Sequence, residues 1–243
     1  MKENADKQYT CIPVIGIAGW SGSGKTTLLE NLIPALREAV AESGKKDFHI
    51  AVIKHDAHGI VLKSVEDPDN GTDTSMYLDT EGKDSWKFRK AGADRVILCG
   101  PEDIYMSADG VSSEEPRKAL QKGTSDVFGQ TFIMKRIPVS SNAGTEMLDA
   151  AMQLAGNCDL ILVEGFKNGS LPQIGIARKE NGKGLTAEPD RFLAVVTDDP
   201  DVEEKCRGTE FQSGIPVFGL EQYRKLAGFL FNFFEQDSGN GKQ

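Results

Sequence analysis

Long hydrophobic runs are absent from this sequence of 243 residues, and so is an excess of positive charge. No run approaches the roughly 18 apolar residues that a membrane-spanning helix requires, and the first residues, MKENADKQ, are too polar for a signal peptide. The formal net charge of -9 argues against nonspecific binding to nucleic acid or anionic membrane, because both favour a basic surface. We therefore expect a globular protein of the cytoplasm, with no nucleic acid and no membrane as a partner.

Cysteine and histidine are also scarce. No two cysteines have the spacing of a zinc-binding or redox-active pair, so we expect buried free thiols. The four cysteines are Cys11, Cys99, Cys158 and Cys206. The three histidines are too few and too scattered for a metal-storage tract. Small anions together with a metal ion, or other proteins, are the partners that this composition favours.

One segment, GWSGSGKT at residues 19–26, carries a motif with a definite chemistry. It satisfies the phosphate-loop pattern G-x-x-x-x-G-K-[ST] at every fixed position. An apolar run at residues 12–18 precedes it and a stretch with helical spacing follows, as a strand, a loop and a helix would. Glycines allow backbone N–H groups to turn onto phosphate oxygens, and the helix start adds its positive dipole end. The residues expected to bind the nucleotide are Gly19, Ser21, Gly22, Ser23, Gly24, Lys25, Thr26 and Thr27.

The side chains around this loop suggest individual roles. Lys25 should reach the β- and γ-phosphates, and the Thr26 hydroxyl should ligate a Mg²⁺ ion that bridges them. Glu164 ends the apolar strand that begins after Asp159, so its carboxylate should reach the sheet edge that carries the loop, whereas Asp159 should lie at the opposite edge. Glu164 would hold the metal through water or orient an attacking water; the alternative is an ordinary strand-end acid. Lys25 and Glu164 are therefore the catalytic candidates.

Further candidates follow two other strands. Asp56 could complete the magnesium shell, although an Asp after a strand is more often a cap or turn residue; Thr26, Asp56 and Glu164 are the metal candidates. His55 and His58 would contact substrate or loop, or are simply solvated. Asp198 could accept hydrogen bonds from guanine N1–H and the 2-amino group, which adenine cannot match; alternatively it caps the following helix.

The order of strands and helices predicts an α/β fold of the P-loop NTPase type, a mainly parallel sheet with helices on both faces. We expect a single P-loop nucleotide-binding domain over residues 1–243, with extended loops at about 60–82 and 101–142 and a disordered tail at 236–243. Asp84 and Ser85 should cap a helix, residues 112–116 suggest a helix start and residues 130–134 a strand, and a last helix should run from Glu221 to about Phe234. Residues 174–178 have the pattern of a half-buried strand, which suggests a sheet edge.

Four blocks of the sequence resemble one family, the molybdopterin-guanine dinucleotide biosynthesis adapter proteins, known as MobB. They are GWSGSGKTT at 19–27, VIKHDAHG at 52–59, GKDSWKFRKAGA at 82–93 and DLILVEGFK at 159–167. The phosphate loop alone is generic, whereas the KHDAH and GKDSW blocks are far more specific. The two extended segments make this chain longer than the family's usual compact form.

The resemblance implies a homodimer that binds GTP and hydrolyses it weakly, and that assists molybdopterin guanylyltransferase in adding GMP to molybdopterin. It also implies that Lys25 and Thr26 bind phosphate and magnesium and that Asp56 and Glu164 are acids close to the metal. The helix with Asp84, Ser85, Trp86 and Arg89 would face the nucleotide or the dimer partner.

Three rival functions are open at this point. A small-molecule kinase would use the same loop, with an arginine-bearing lid supplied by Arg178, Arg191 or Arg207. A nickel-insertion GTPase would be expected to carry a histidine-rich tail or a cysteine pair, and the sequence has neither. A binding module that has lost hydrolysis would differ from the adapter only in rate.

Overall fold

The computed structural model describes residues 12–56, 63–66, 74–77, 82–101, 104–109, 130–135, 143–166, 171–207 and 214–240. Some predictions fall elsewhere. Cys11, His58 and the helix start at 112–116 lie outside the described residues. None of the helices in the described ranges has the length and apolarity that crossing a bilayer requires.

The described part contains strands and helices in alternation, as the sequence predicts. The strands are β1 (Val14–Ala18), β2 (Ile50–His55), β3 (Lys63–Glu66), β4 (Thr74–Tyr77), β5 (Arg95–Cys99), β6 (Ile104–Asp109), β7 (Gln130–Lys135), β8 (Leu160–Glu164), β9 (Gln173–Ala177), β10 (Ala194–Thr197) and β11 (Val217–Phe218). The helices are α1 (Lys25–Glu42), α2 (Asp84–Ala91), α3 (Ala143–Ala155), α4 (Pro200–Arg207) and α5 (Tyr223–Asn240). Two short 3₁₀ helices cover Lys179–Asn181 and Pro189–Arg191.

A nine-stranded sheet in the order β11-β10-β9-β1-β8-β2-β5-β6-β7 forms the centre of the fold. From β11 to β5 every neighbouring pair is parallel, and β6 and β7 extend this sheet by antiparallel pairing. The phosphate-loop strand β1 therefore lies between β8 and β9. The predicted α/β class with a mainly parallel sheet is confirmed.

Helices cover both faces of the sheet. Alternate side chains of a strand point to opposite faces, and in β2 Ile50 and Val52 join one core cluster while Ala51 and Ile53 join another. The first cluster includes residues of α1, α2 and α5, whereas the second includes residues of α3. On the face of the second cluster, Val195 of β10 packs with residues of α4. This arrangement leaves the carboxyl edge of the parallel strands for the site.

Strand β9 is an interior strand, so the edge position suggested by its pattern was wrong. It pairs with β1 on one side and with β10 on the other, and residues Ile174–Ala177 are buried. Gly175 produces the misleading pattern. It alternates with Ile174 and Ile176 as a solvent-facing polar residue would, yet it is buried. Phe192 packs against it: a Cβ at residue 175 would lie 3.0 Å from the Phe192 ring.

The two extended segments contain strands. Residues 63–66 and 74–77 form an antiparallel hairpin in the first, which we expected to be an irregular loop. Each strand has only four residues, too few for an alternating pattern to stand out. In the second segment, β6 and β7 pair with each other, and the strand expected near residues 130–134 is confirmed. The last helix continues to Asn240, so the expected tail is helical as far as that residue; a helix once formed extends at low cost.

Candidate functional site

The phosphate loop connects the end of β1 to the start of α1. Gly24 is the N-cap residue of α1 with φ 89°, and Gly22 has φ 78°, backbone conformations that favour glycine. At residue 19 a Cβ atom would lie 2.4 Å from Ser23 Oγ and 2.6 Å from Ile176 Cγ2. The loop is therefore packed directly against β9, and only glycine fits at its first position.

Two polar side chains of the loop are suited to phosphate binding. The Lys25 Nζ atom donates hydrogen bonds to the carbonyl oxygens of Gly19 and Trp20, both at 3.0 Å, so the lysine head already lies over the loop. Ser23 is 1% exposed, and its Oγ has no hydrogen-bond partner. A buried hydroxyl without a partner is costly, and a bound phosphate oxygen would satisfy it. Thr26 is half-buried and Thr27 is exposed.

Glu164 reaches the predicted edge of the sheet. It ends β8 and stands in register with Ile17 of β1 and Lys54 of β2. The residue is 5% exposed; its Oε1 accepts a hydrogen bond from Lys54 Nζ at 3.3 Å, and its Oε2 is buried without a hydrogen-bond partner. One carboxylate oxygen is thus held and the other is available to a water molecule or a metal ion.

Sequence reasoning missed the role of Lys54, which joins two acids. Its Nζ lies 2.5 Å from Asp84 Oδ2 as well as 3.3 Å from Glu164 Oε1. Burial by itself would lower the pKa of Lys54, but the charge of Glu164 and the hydrogen bond and charge of Asp84 more than offset it, so this pKa is raised. Lys54 therefore carries its positive charge at neutral pH.

Asp84 begins helix α2 but does not cap it, so the predicted capping role of Asp84 and Ser85 was wrong. The N-cap residue is Lys83, without a side-chain capping bond. Asp84 turns to Lys54 instead, and Ser85 is buried. The physical reason is that the charge-assisted pair with the half-buried Lys54 ammonium is stronger than hydrogen bonds to the exposed N–H groups of a helix start.

The remaining acids occupy both edges. Asp56 lies directly after β2, where its backbone N–H donates to the Cys99 carbonyl at 2.8 Å and continues the pairing with β5. Asp159 lies at the opposite edge, as predicted, where its Oδ2 accepts from the backbone N–H of His49. No group of three or more His, Cys, Asp or Glu side chains in the described ranges is arranged to hold a metal ion. Mg²⁺ beside nucleotide phosphates commonly has only one or two protein ligands, together with phosphate oxygens and water.

His55 and Gly165 form a close backbone contact beside Glu164. Gly165 has φ 91°, and a Cβ there would lie 2.5 Å from the carbonyl oxygen of His55. The His55 ring lies 5.1 Å from the ring of Phe166. The close approach of Gly165 to the His55 carbonyl fixes the turn that ends β8. The sequence signal for this approach is a glycine directly after the acid at the strand end.

Asp198 follows β10, two strands away from β1. Its side chain is exposed, and Oδ1 accepts a hydrogen bond from the backbone N–H of Lys179 at 2.8 Å. The next residue, Asp199, accepts from the backbone N–H of Asp201 with its own Oδ1 at 3.1 Å. Asp199, and not Asp198, therefore caps α4, which leaves the second oxygen of Asp198 for another partner.

Of the three candidate lid arginines, Arg178 lies against the phosphate loop. Its Cδ atom is 3.7 Å from the position of a Cβ at Gly24. Arg191 lies in the second 3₁₀ helix and is exposed, and Arg207 pairs with Glu203 within α4.

Comparison with known proteins points to one family. The family model described as MobB, molybdopterin guanine dinucleotide synthesis protein B, matches residues 14–128 and 123–198. The molybdopterin-guanine dinucleotide biosynthesis adapter protein of Haemophilus influenzae is 34% identical over 189 residues, covering 78% of this chain and 76% of the relative. The Escherichia coli adapter protein is 27% identical over 233 residues, with 95% and 98% covered.

Two further similarities are weaker. A probable adapter protein of Bacillus subtilis is 26% identical over 207 residues, covering 85% of this chain and 84% of the relative. Among solved structures, a crystal structure of HypB from Helicobacter pylori in complex with nickel overlaps with a TM-score of 0.41 and 14% identity, covering 93% of this chain and 89% of the other. A structural overlap at that level has no bearing on what this chain binds.

Proposed function

The chain belongs to the MobB family of molybdopterin guanine dinucleotide biosynthesis, and from this premise we propose that it is a GTP-binding adapter with weak GTPase activity. In this proposal it assists a molybdopterin guanylyltransferase in attaching GMP to molybdopterin. It works as a homodimer in the cytoplasm. Mg²⁺ is the metal that accompanies the nucleotide.

The observation that carries the nucleotide part is the geometry of the phosphate loop. Its first glycine is packed against β9, its lysine head lies over the loop carbonyls, and the buried Ser23 hydroxyl has no partner. Such a loop presents N–H groups and one cation to an anion. A nucleotide polyphosphate is the ligand that this chemistry recognises.

The residues of the chain would divide the work as follows. Lys25 would exchange its loop carbonyls for the β- and γ-phosphate oxygens, and Thr26 would supply a hydroxyl ligand to Mg²⁺. Mg²⁺ would supply charge neutralisation of the β- and γ-phosphates. Glu164 would use its unpartnered Oε2 to hold a water molecule, while Lys54 keeps Oε1 in place. Asp56 stays a candidate for the metal shell from the neighbouring strand.

Preference for guanine is assigned to Asp198 in this proposal. Its Oδ1 is held by the backbone N–H of Lys179, so its orientation is set before any ligand binds. A carboxylate accepts hydrogen bonds from both N1–H and the 2-amino group of guanine, and adenine has neither of these donors. GTP is therefore the expected nucleotide.

Nucleotide turnover distinguishes the proposed adapter from a small-molecule kinase. A small-molecule kinase consumes nucleotide only with an acceptor alcohol, whereas an adapter shows slow intrinsic hydrolysis that no small alcohol accelerates. The family to which the chain belongs supports the adapter.

The test is a titration with GTP and with ATP, each with and without Mg²⁺, followed by dinucleotide synthesis with a molybdopterin guanylyltransferase. Preference for GTP, slow turnover and stimulated synthesis of molybdopterin guanine dinucleotide are expected. Lys25→Ala should abolish binding. Lys45→Ala is the control and should not, because Lys45 lies beyond the other end of α1, where it forms an exposed ion pair with Glu235 and lies over the Phe48 ring. Preference for ATP without any effect on the transferase would overturn the proposal in favour of a kinase.

A further inference from the structure

Strand β9 brings an arginine to the phosphate loop from outside the motif. β9 pairs in parallel with β1, with Ile17 opposite Ile174 and Ala18 opposite Gly175. The carboxyl ends of the two strands therefore meet at one edge, and Arg178 is the first residue after β9. The chain then enters the 3₁₀ helix Lys179–Asn181.

The stem of Arg178 lies beside the last glycine of the loop. Its Cδ is 3.7 Å from the Cβ position at Gly24, and Ile176 Cδ1 is 3.8 Å from the same position. Gly24 directly precedes Lys25, the lysine expected to reach the phosphates. The guanidinium group is thus within side-chain reach of a ligand bound to this loop.

The guanidinium group is incompletely satisfied. Its Nε is buried without a hydrogen-bond partner, which is energetically unfavourable for a polar group. One terminal nitrogen pairs with Glu180 Oε2 at 3.1 Å, but the Glu180 side chain is 79% exposed. Ion pairs of that kind contribute little and exchange readily. A phosphate group accepts two parallel N–H bonds from arginine and would be a stronger partner.

The segment around Arg178 is held from two sides, and we call residues 178–181 the bridge. Asn181 Nδ2 donates to the carbonyl oxygen of Ser21 in the phosphate loop at 3.2 Å. Lys179 N–H donates to Asp198 Oδ1 at 2.8 Å. The bridge therefore links the loop to the strand end that carries Asp198, so the backbone that bears the arginine is ordered in advance of binding.

We infer that Arg178, which follows β9 in the same chain, is a ligand of the nucleotide phosphates. When nucleotide binds, the Arg178 guanidinium exchanges its ion pair with Glu180 for a hydrogen bond to a phosphate oxygen. This inference rests on the proposed function, because it requires a nucleotide on the phosphate loop. It adds a second cation to Lys25, from a different element. It also makes the bridge a direct connection between the phosphate part and the base part of the site.

The experiment measures GTP and GDP affinity by isothermal titration for the wild type, Arg178→Met and Arg178→Lys. Arg178→Met should weaken both nucleotides about 10- to 100-fold, which corresponds to the loss of one charged hydrogen bond. Arg178→Lys should fall between, because lysine keeps the charge but not the paired N–H groups. Added guanidinium ion should restore part of the affinity of Arg178→Met, a rescue that a merely structural role would not give.

Glu180→Gln is the matched control, because it removes the partner and keeps the arginine. It should bind nucleotide as tightly as the wild type or more tightly. Unchanged affinity in a folded Arg178→Met protein, with Lys25→Ala inactive, would overturn the inference and leave the proposed function standing. If Arg178→Met fails to fold, wild-type affinity in Arg178→Lys would overturn the inference. A wild type that binds no nucleotide would overturn both.

Discussion

Lys54 Nζ lies 3.3 Å from Glu164 Oε1, although 110 residues separate the two along the chain. The pair spans β2 and β8, which are neighbours in the sheet with these two residues in register. Glu164 keeps its second oxygen unpartnered, and Lys54 reaches on to Asp84 at the start of α2. Lys54 therefore connects Glu164, the candidate catalytic acid, to helix α2.

Replacing Lys54 with methionine should lower the free energy of unfolding by about 2–4 kcal/mol, because Glu164 would be left buried without its cation. Urea unfolding of the two proteins measures the difference. Lys87→Met is the control: its partner Glu30 is 4.0 Å away and both side chains are about one-third exposed, so the expected loss is below about 1 kcal/mol. Equal losses would contradict a special role for the Lys54 pair.

The contribution of Lys54 should also depend on pH at the alkaline end. Its pKa is raised in the folded protein by Glu164 and Asp84, which outweigh the opposing effect of burial. A raised pKa stabilises the fold fully below the unfolded lysine value of about 10.4 and loses that contribution as pH rises through the folded value. The stability difference between wild type and Lys54→Met should be constant from neutral pH to about pH 10 and then shrink. A difference that grows there would refute this assignment.

Asp198→Asn should relax the preference for GTP towards xanthosine triphosphate. Asparagine can keep the bond from Lys179 N–H through its Oδ1, so its amide N–H₂ would face the base where the carboxylate oxygen was. We expect a loss of GTP affinity of about 10- to 100-fold, measured by competition between the two nucleotides. Asp199→Asn is the control, since Asp199 binds the start of α4 and should leave base preference unchanged.

Gly165→Ala should lower the free energy of unfolding much more than Gly44→Ala, although both replace a glycine that has a positive φ. Gly165 has φ 91° and a Cβ there would lie 2.5 Å from the His55 carbonyl oxygen, whereas Gly44 has φ 79° with nothing within 4 Å. Gly44→Ala should cost about 1–2 kcal/mol from backbone strain alone. Gly165→Ala should cost a further ~1–3 kcal/mol from the clash. Thermal unfolding compares them, and similar losses would show that the close approach relaxes freely.

Cys99 and Cys158 should resist alkylation in the folded protein. Burial raises the pKa of Cys99 to about 12, and it also dominates the rise of the pKa of Cys158 to about 11. The thiolate is the reactive form, so iodoacetamide at about pH 8 should modify both only after denaturation, because unfolded thiols titrate near 8.5. Mass spectrometry of peptides gives the extent at each cysteine. Rapid labelling of Cys99 in the native protein would contradict its burial.

Features encoded by neighbouring residues were predictable from the sequence. The strand, loop and helix around residues 19–26 are continuous in the chain, and the length of β8 alone sets Asp159 and Glu164 at opposite edges of the sheet. The two acids lie where that length predicts. The roles assigned to the loop residues, Asp56 and Asp198 stay predictions.

Features that depend on which strands become neighbours were not predictable. The pattern of β2 says that Lys54 is at its end but not that β8 would lie next to it, so the Lys54 pair was missed. The same limit adds to the misleading pattern at Gly175: nothing in β9 itself shows that β1, which is far from it in sequence, pairs with one side while β10, the next strand along the chain, pairs with the other. The bridge from Arg178 to Asn181 shows no periodic pattern, because its contacts are hydrogen bonds to two distant segments.

Two glycines at the carboxyl ends of the neighbouring strands β1 and β8 bring the backbone of the candidate site into close contact with other segments. Gly19 after β1 is wedged against Ile176, and Gly165 after β8 is wedged against the His55 carbonyl, so neither position has room for a side chain. These two positions therefore admit no side chain, whereas the proposed nucleotide contacts of Arg178 and Asp198 lie in side chains that can be substituted. If the proposed function holds, engineering of nucleotide preference has to work through side chains around these two glycines and leave the glycines themselves in place.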